Sequence, residues 1–187
     1  MDLNINAFLR VMDATDNSTG GGTASCVAGA MAAGLAAMVA RLSMGKKDMA
    51  SPKHYEAIAD EAEALTAKLF NGGQIDAAAF DKVSAAYKLP KGTPEEKTSR
   101  SRAIQKAMVH AAEVPLENAE YCKRVLELKQ SLEKRYNTNA ASDLECAGHL
   151  ATAGLKGCAA NVRINLPYIK NPEICRDIES RLSDILT

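Results

Sequence analysis

Residues 18–42 read STGGGTASCVAGAMAAGLAAMVARL: three consecutive glycines, then small and apolar residues with no charged side chain until Arg41. A stretch so slim and so bare permits few structures. As a membrane span it is poor, because Ala, Gly, Ser and Thr outnumber the Leu, Ile and Phe that carry insertion energy. As a dinucleotide-binding loop it lacks the feeding strand and the βαβ unit that such glycines require. Close helix packing remains: Gly29, Ala33 and Ala37 repeat at spacing four with Ala30 and Gly34 beside them. The partner backbone lies within one bundle or across a subunit boundary. The glycines are read either as a tight turn or as bare N–H groups at a helix start, where an anion or ligand oxygen can bind.

The rest of the chain follows the same helical pattern. Hydrophobic residues make up 47% but aromatics only 4%, and Trp is absent. Ala, the best helix former, dominates the apolar residues, and no stretch alternates apolar with polar at strand length. The punctuation predicts a short helix over 4–15 (Ile5, Phe8, Leu9 and Met12 on one face) and a second over 23–43. A third begins at Pro52, with Tyr55, Ile58, Ala62, Leu65 and Leu69 at helical spacing, and stops at Gly72-Gly73. A fourth spans 74–89. Thr93-Pro94-Glu95-Glu96 is a capping box opening a helix to about residue 135, kinked or broken at Pro115. Ser142 caps another to about 166, and Asn171 caps the last. The expected fold is all-α: one domain over 1–187, a bundle of long, mostly antiparallel helices.

Lys plus Arg and Asp plus Glu each total 23, so the formal net charge is zero, which argues against a nucleic-acid partner. The five cysteines form no CxxC pair and fit no closed disulfide framework. MDLNINAFLRVMD lacks the basic and apolar regions of a secretory signal. A cytoplasmic protein without membrane partner is expected. His54, His110 and His149 are scattered; Cys146 and His149 share a helix face, but two ligands make no zinc site, and no metal is expected.

Five segments in order, GGGTASCVAGAMAAGLAAMVARLS (20–43), IDAAAFDKVSAAYKLPKGTPEEK (75–97), HAAEVPL (110–116), NTNAASDLECAG (137–148) and AANVRINL (159–166), resemble the cyclodeaminase/cyclohydrolase family. This family comprises the helical domains fused in formiminotransferase-cyclodeaminase and standing alone as methenyltetrahydrofolate cyclohydrolases. The resemblance implies an all-helical homodimer acting on one-carbon adducts of tetrahydrofolate, polyglutamylated forms included, with neither metal nor redox cofactor. It places the catalytic carboxylate at Asp76, with Phe80 the aromatic of that pattern. It places substrate-binding residues at Gly20, Gly21, Gly22, Lys91, Arg100, Asn137, Ser142, Asp143, Asn161 and Asn165. Two departures stand out: Thr19 where members often carry Pro, and Gln74 where many carry a second acid.

Taken alone, Asp76 reads as a first-turn acid favoured by the helix dipole. Asn161 and Asn165, one turn apart, suit a pterin or a pairing across the bundle equally well. Lys91 and Arg100 suit the glutamate carboxylates of folate. Cyclohydrolysis of 5,10-methenyltetrahydrofolate to 10-formyltetrahydrofolate is the leading expectation, because no formiminotransferase domain accompanies the chain. Cyclodeamination of 5-formiminotetrahydrofolate, and a folate-binding bundle without turnover, are the alternatives.

Overall fold

The computed structural model describes residues 10–15 and 19–187. The first half of the helix expected over 4–15 lies outside the described residues, and of the rest residues 10–12 are helical. Five long helices follow: α1 (Gly21–Ser43), α2 (Pro52–Lys88), α3 (Pro94–Glu133), α4 (Ala141–Asn165) and α5 (Pro172–Leu186). Short 3-10 turns over Thr138–Ala140 and Leu166–Tyr168 join the later ones, and no strand occurs among the described residues. Short connections make α1 to α4 run up and down, each packed on its chain neighbour, with α4 closing back onto α1. The last helix lies against α3.

The small residues of α1 allow this closure. Ala30, Ala32, Ala33, Ala36 and Ala37 are buried, as is Gly29, where a Cβ would lie 2.6 Å from Cys122 Sγ and 3.2 Å from both Leu69 methyls. At Gly29 the stripe is therefore filled from inside the chain, by Cys122 and Leu69. By length and composition α1 would pass for a membrane span, yet 67% of its apolar window is buried in the bundle.

Several starts and stops match the expected punctuation. Pro52 opens α2, and Tyr55, Ile58, Ala62, Leu65 and Leu69 are all buried. Thr93 Oγ1 accepts from Glu96 N–H at 3.2 Å while Glu96 Oε2 accepts from Thr93 N–H at 3.1 Å. Asn171 Oδ1 accepts from the N–H groups of Glu173 and Ile174.

Others do not. Gly72-Gly73 is no stop: α2 passes through both residues for 37 residues in all, so the separate helix over 74–89 does not exist. Mid-helix glycine costs about 0.5–1 kcal/mol relative to Ala. Close approach explains it here. A Cβ on Gly72 would overlap the buried Asn118 amide, and Gly73 O accepts a hydrogen bond from Thr23 Oγ1 at 3.2 Å. Helix α1 starts two residues earlier than expected, so Gly21 and Gly22 form its first turn and Gly20 its N-cap. Ser142 lies inside α4 rather than capping it.

Pro115 does not break α3, which is continuous over 40 residues. A proline at 115 has no N–H to give the carbonyl four residues back. That carbonyl, Ala111 O, instead accepts from Asn165 Nδ2 at 2.8 Å. An amide on α4 thus completes the ladder of α3.

Length then creates the site. At 1.5 Å per residue, α1 and α4 (23 and 25 residues) span roughly 35 Å, whereas α2 and α3 reach about 55–60 Å. Where α1 begins and α4 ends, α2 and α3 continue alone, and the four-helix bundle steps down to a pair.

Candidate active site

Asp76 stands at that step. It is mid-helix on α2, not in a first turn, so the helix dipole of its own element gives it no support. Its carboxyl points across to α1 and α4. Asn161 Nδ2 donates to Asp76 Oδ1 at 3.1 Å, and Asn161 is in turn steadied by Asn165, whose amide also bonds Asn161 O at 2.9 Å.

The wall opposite the carboxyl is Gly22. A Cβ there would overlap Asp76 Oδ2 and Asn161 Nδ2 and lie 2.7 Å from Asp76 Cγ. Only a bare backbone leaves room for this pair. Gly20 and Gly21 differ, since a Cβ on either would meet nothing within 4 Å. Both line the cavity in front of Asp76, beside the unpartnered first N–H groups of α1.

That cavity holds about 400 Å³. Its rim is apolar and open: Phe80 is 57% exposed, Ile164 67% and Tyr168 56%. Met108 and Ala111 of α3 form the floor. Burial pushes the Asp76 carboxyl up to about 6, Cys158 adds to the rise electrostatically, and the Asn161 hydrogen bond pulls the other way. A carboxyl poised there is half-ionised close to neutrality, where a group can both take and give a proton.

Family relationship turns on this constellation together with the chain-long pattern. The formiminotransferase-cyclodeaminase family model matches residues 4–184. The chain belongs to the formiminotransferase-cyclodeaminase family. It is 36% identical over 162 residues to a methenyltetrahydrofolate cyclohydrolase of Methylorubrum extorquens, covering 86% of this chain and 78% of that protein. It is 30% identical over 190 residues to the formimidoyltransferase-cyclodeaminase of Rattus norvegicus, covering 100% of this chain but 35% of that one. The crystal structure of a formiminotetrahydrofolate cyclodeaminase from Thermotoga maritima superposes with a TM-score of 0.82 at 31% identity, over 92% of this chain and 82% of that one.

In this member of the formiminotransferase-cyclodeaminase family, six of the eleven expected site residues meet in one place: Asp76, Gly20, Gly21, Gly22, Asn161 and Asn165 line the same cavity. The other five do not join them within the chain. Asn137, Ser142 and Asp143 sit at the opposite end of α4, where Asp143 is 18 residues, roughly 27 Å of helix, from Asn161. Asn137 is engaged there: its Nδ2 donates to Leu42 O at 3.2 Å and its Oδ1 accepts from Asn139 N–H at 3.2 Å. Lys91 lies exposed between α2 and α3. Arg100 donates twice to Tyr87 O, at 2.9 and 3.3 Å, and stacks over the Tyr87 ring, so it closes the C-terminal turn of α2.

Sequence reading missed Tyr168, Ile164, Met108 and Ala111 as lining. It also missed what Asn165 does. A signal existed: a proline inside a helix orphans the carbonyl four residues before it, and a nearby amide must answer. Among the described residues no three of His, Cys, Asp and Glu are arranged to hold a metal ion, and all five cysteines are free thiols.

Proposed function

We propose that this chain is a folate one-carbon enzyme that hydrolyses 5,10-methenyltetrahydrofolate to 10-formyltetrahydrofolate, with Asp76 moving the proton. The observation that carries the proposal is Asp76 itself: a half-buried carboxyl at about 6, facing an open cavity with an apolar rim. Family membership and the cyclohydrolase relative support the substrate class.

The chemistry follows from these groups. The substrate carbon belongs to a cationic amidinium, which the Asp76 carboxylate favours electrostatically. As water adds to that carbon, Asp76 takes one of its protons. Collapse of the tetrahedral adduct breaks the bond to N5, and Asp76 returns the proton to that nitrogen. The remaining water proton leaves for solvent as the second oxygen-bound hydrogen is lost and the formyl group forms on N10. No electron changes hands, so the step calls for no redox cofactor, and because the substrate carbon is already cationic we propose that it proceeds without a metal. In this reading a flat pterin would lie against the apolar rim of Phe80 and Tyr168, with the bare backbone of Gly20 and Gly21 lining the same cavity.

Cyclodeamination is the second reading, supported by the full-length match to the rat protein and by the Thermotoga maritima likeness. There N10 attacks the formimino carbon and ammonia leaves, and the same carboxyl would protonate the departing nitrogen. Incubating purified protein with each substrate and separating the products decides between them. Formation of 10-formyltetrahydrofolate above the uncatalysed rate is expected. Ammonia release from the formimino compound alone would install the second reading, and no turnover of either would remove both.

The proposal extends to a cytoplasmic homodimer that takes no nucleic acid or membrane as partner. Balanced charge and free thiols support the first and last points. The subunit surface we favour is the exposed flank of the small-residue stripe, where Met31, Met38 and Leu42 are exposed beside a cavity lined by Gly34 and Ala37. Sedimentation showing only monomer at micromolar concentration would reject the dimer.

A further inference from the structure

We propose that Asn161 is a positioning residue for Asp76: it holds the carboxyl in the space left by Gly22, rather than contacting substrate. The inference rests on the reading that Asp76 moves the proton. The Asn161 amide donates to Asp76 Oδ1 at 3.1 Å, and its nitrogen and Asp76 Oδ2 both crowd the position where Gly22 lacks a Cβ. Three helices therefore fix one carboxyl: α2 carries it, α4 grips one oxygen, and α1 confines the other.

The grip has its own support. Asn165, one turn on, bonds Ala111 O on α3 with the amide that Pro115 makes necessary. The last turns of α4 are thus tied sideways to both α2 and α3, and Asn161 cannot drift with a fraying helix end. Asn161 lies at the cavity wall, but its amide is turned onto the acid.

The groups facing Asp76 leave Asn161 as the adjustable one. From α4 comes Cys158 and from α1 Cys26, whose thiol is pushed up by its hydrogen bond to Cys158 and by burial. From α3 come only Met108 and Ala111, and Tyr168 stands at the cavity rim. Among the described residues, none of these donates a hydrogen bond to the carboxylate. Asn161 does, and that donation favours the ionised form.

The test is the pH profile of kcat/KM for Asn161→Ala and Asn161→Asp, read beside a carbon-13 titration of the Asp76 carboxyl in the same proteins. Without the donor, the acidic limb and the titration both move to higher pH. Asn161→Asp, which sets a second acid against Asp76, moves them further. Misplacing a catalytic group costs up to about a hundredfold in rate, so kcat near pH 6 should fall by that order and recover in part near pH 8, with KM within about threefold. A raised KM with an unmoved limb would make Asn161 a substrate contact and overturn the proposal. So would a lowered melting temperature with limb and titration both in place. If no folate is turned over by the parent, a carboxyl titration that still shifts would locate the failure in the functional reading; one that does not shift would end the proposal itself.

Discussion

Helix α4 carries an asparagine-rich segment at each end, and the two ends use it differently. At the C-terminal end, Asn161 turns its amide onto a half-buried carboxylate, across from a helix start with no side chain in the way. At the other, Asn137 turns its amide onto the Leu42 carbonyl in the last turn of α1, and its own N–H donates to Ser43 Oγ at 2.9 Å. Both amides are bonded, and both sit where helices end. The difference is what they bond. Asn137 answers an orphan backbone group and so closes a bundle end. Asn161 answers a group that pays a desolvation penalty to be there, and a fold keeps such a group only where something is gained by it.

The widest separation between the ends should come from Asp76→Asn. Loss of a proton carrier predicts a fall in turnover of roughly 10²–10⁴-fold with folate still bound. Stability should go the other way. The folded carboxyl titrates near 6, above its ordinary 3.8, so the fold disfavours the carboxylate. Its contribution to stability is whole below about pH 4 and is lost as pH rises through 6. At pH 7 the asparagine variant escapes that loss and should melt at or above the parent temperature. Activity within threefold of the parent would remove Asp76 as the proton carrier, and the special standing of this end with it.

A smaller effect is expected from adding one methyl to the wall. Gly22→Ala must push Asp76 and Asn161 aside, whereas Gly21→Ala meets nothing within 4 Å. Both changes improve helix propensity by about the same amount. Their activities should still differ at least tenfold, the scale on which a small displacement of a catalytic group is felt. Equal activities, measured side by side, would show that the carboxyl has room to retreat and that the bare helix start is only a turn.

Much of this comparison is legible in the sequence. The helices, the capping box at Thr93 and the apolar face through Tyr55 and Leu69 are local, because hydrophobic spacing and caps are written in neighbouring residues. Gly72-Gly73 misled for a physical reason: glycine ends helices by conformation but also admits a neighbour by size, and only the position of Asn118 says which. Asp76 inherited that error, passing for a first-turn acid. Its environment is built by Gly22 and Asn161, 54 residues before and 85 after in sequence, and no local pattern encodes that meeting. Likewise the segment around Asn137 and Asp143 carries the family pattern, but a pattern cannot say which end of a 25-residue helix faces the cavity.

The smallest expected effect on turnover tests the quiet end directly. Asn137→Ala removes one donor bond to Leu42 O and the cap on Asn139 N–H, both partly exposed, so the cost should be about 0.5–2 kcal/mol of stability. Kinetics at a temperature well below the transition should stay within threefold of the parent, because roughly 27 Å of α4 separates this end from Asn161. A melting curve and a rate measured on the same sample separate the two quantities. Should turnover instead collapse while the melting temperature holds, distance within one chain would no longer be the relevant measure. The cavity of one subunit would then be completed by the Asn137 end of another, and a cross-mixing experiment between Asp76→Asn and Asn137→Ala proteins would recover activity in the hybrid.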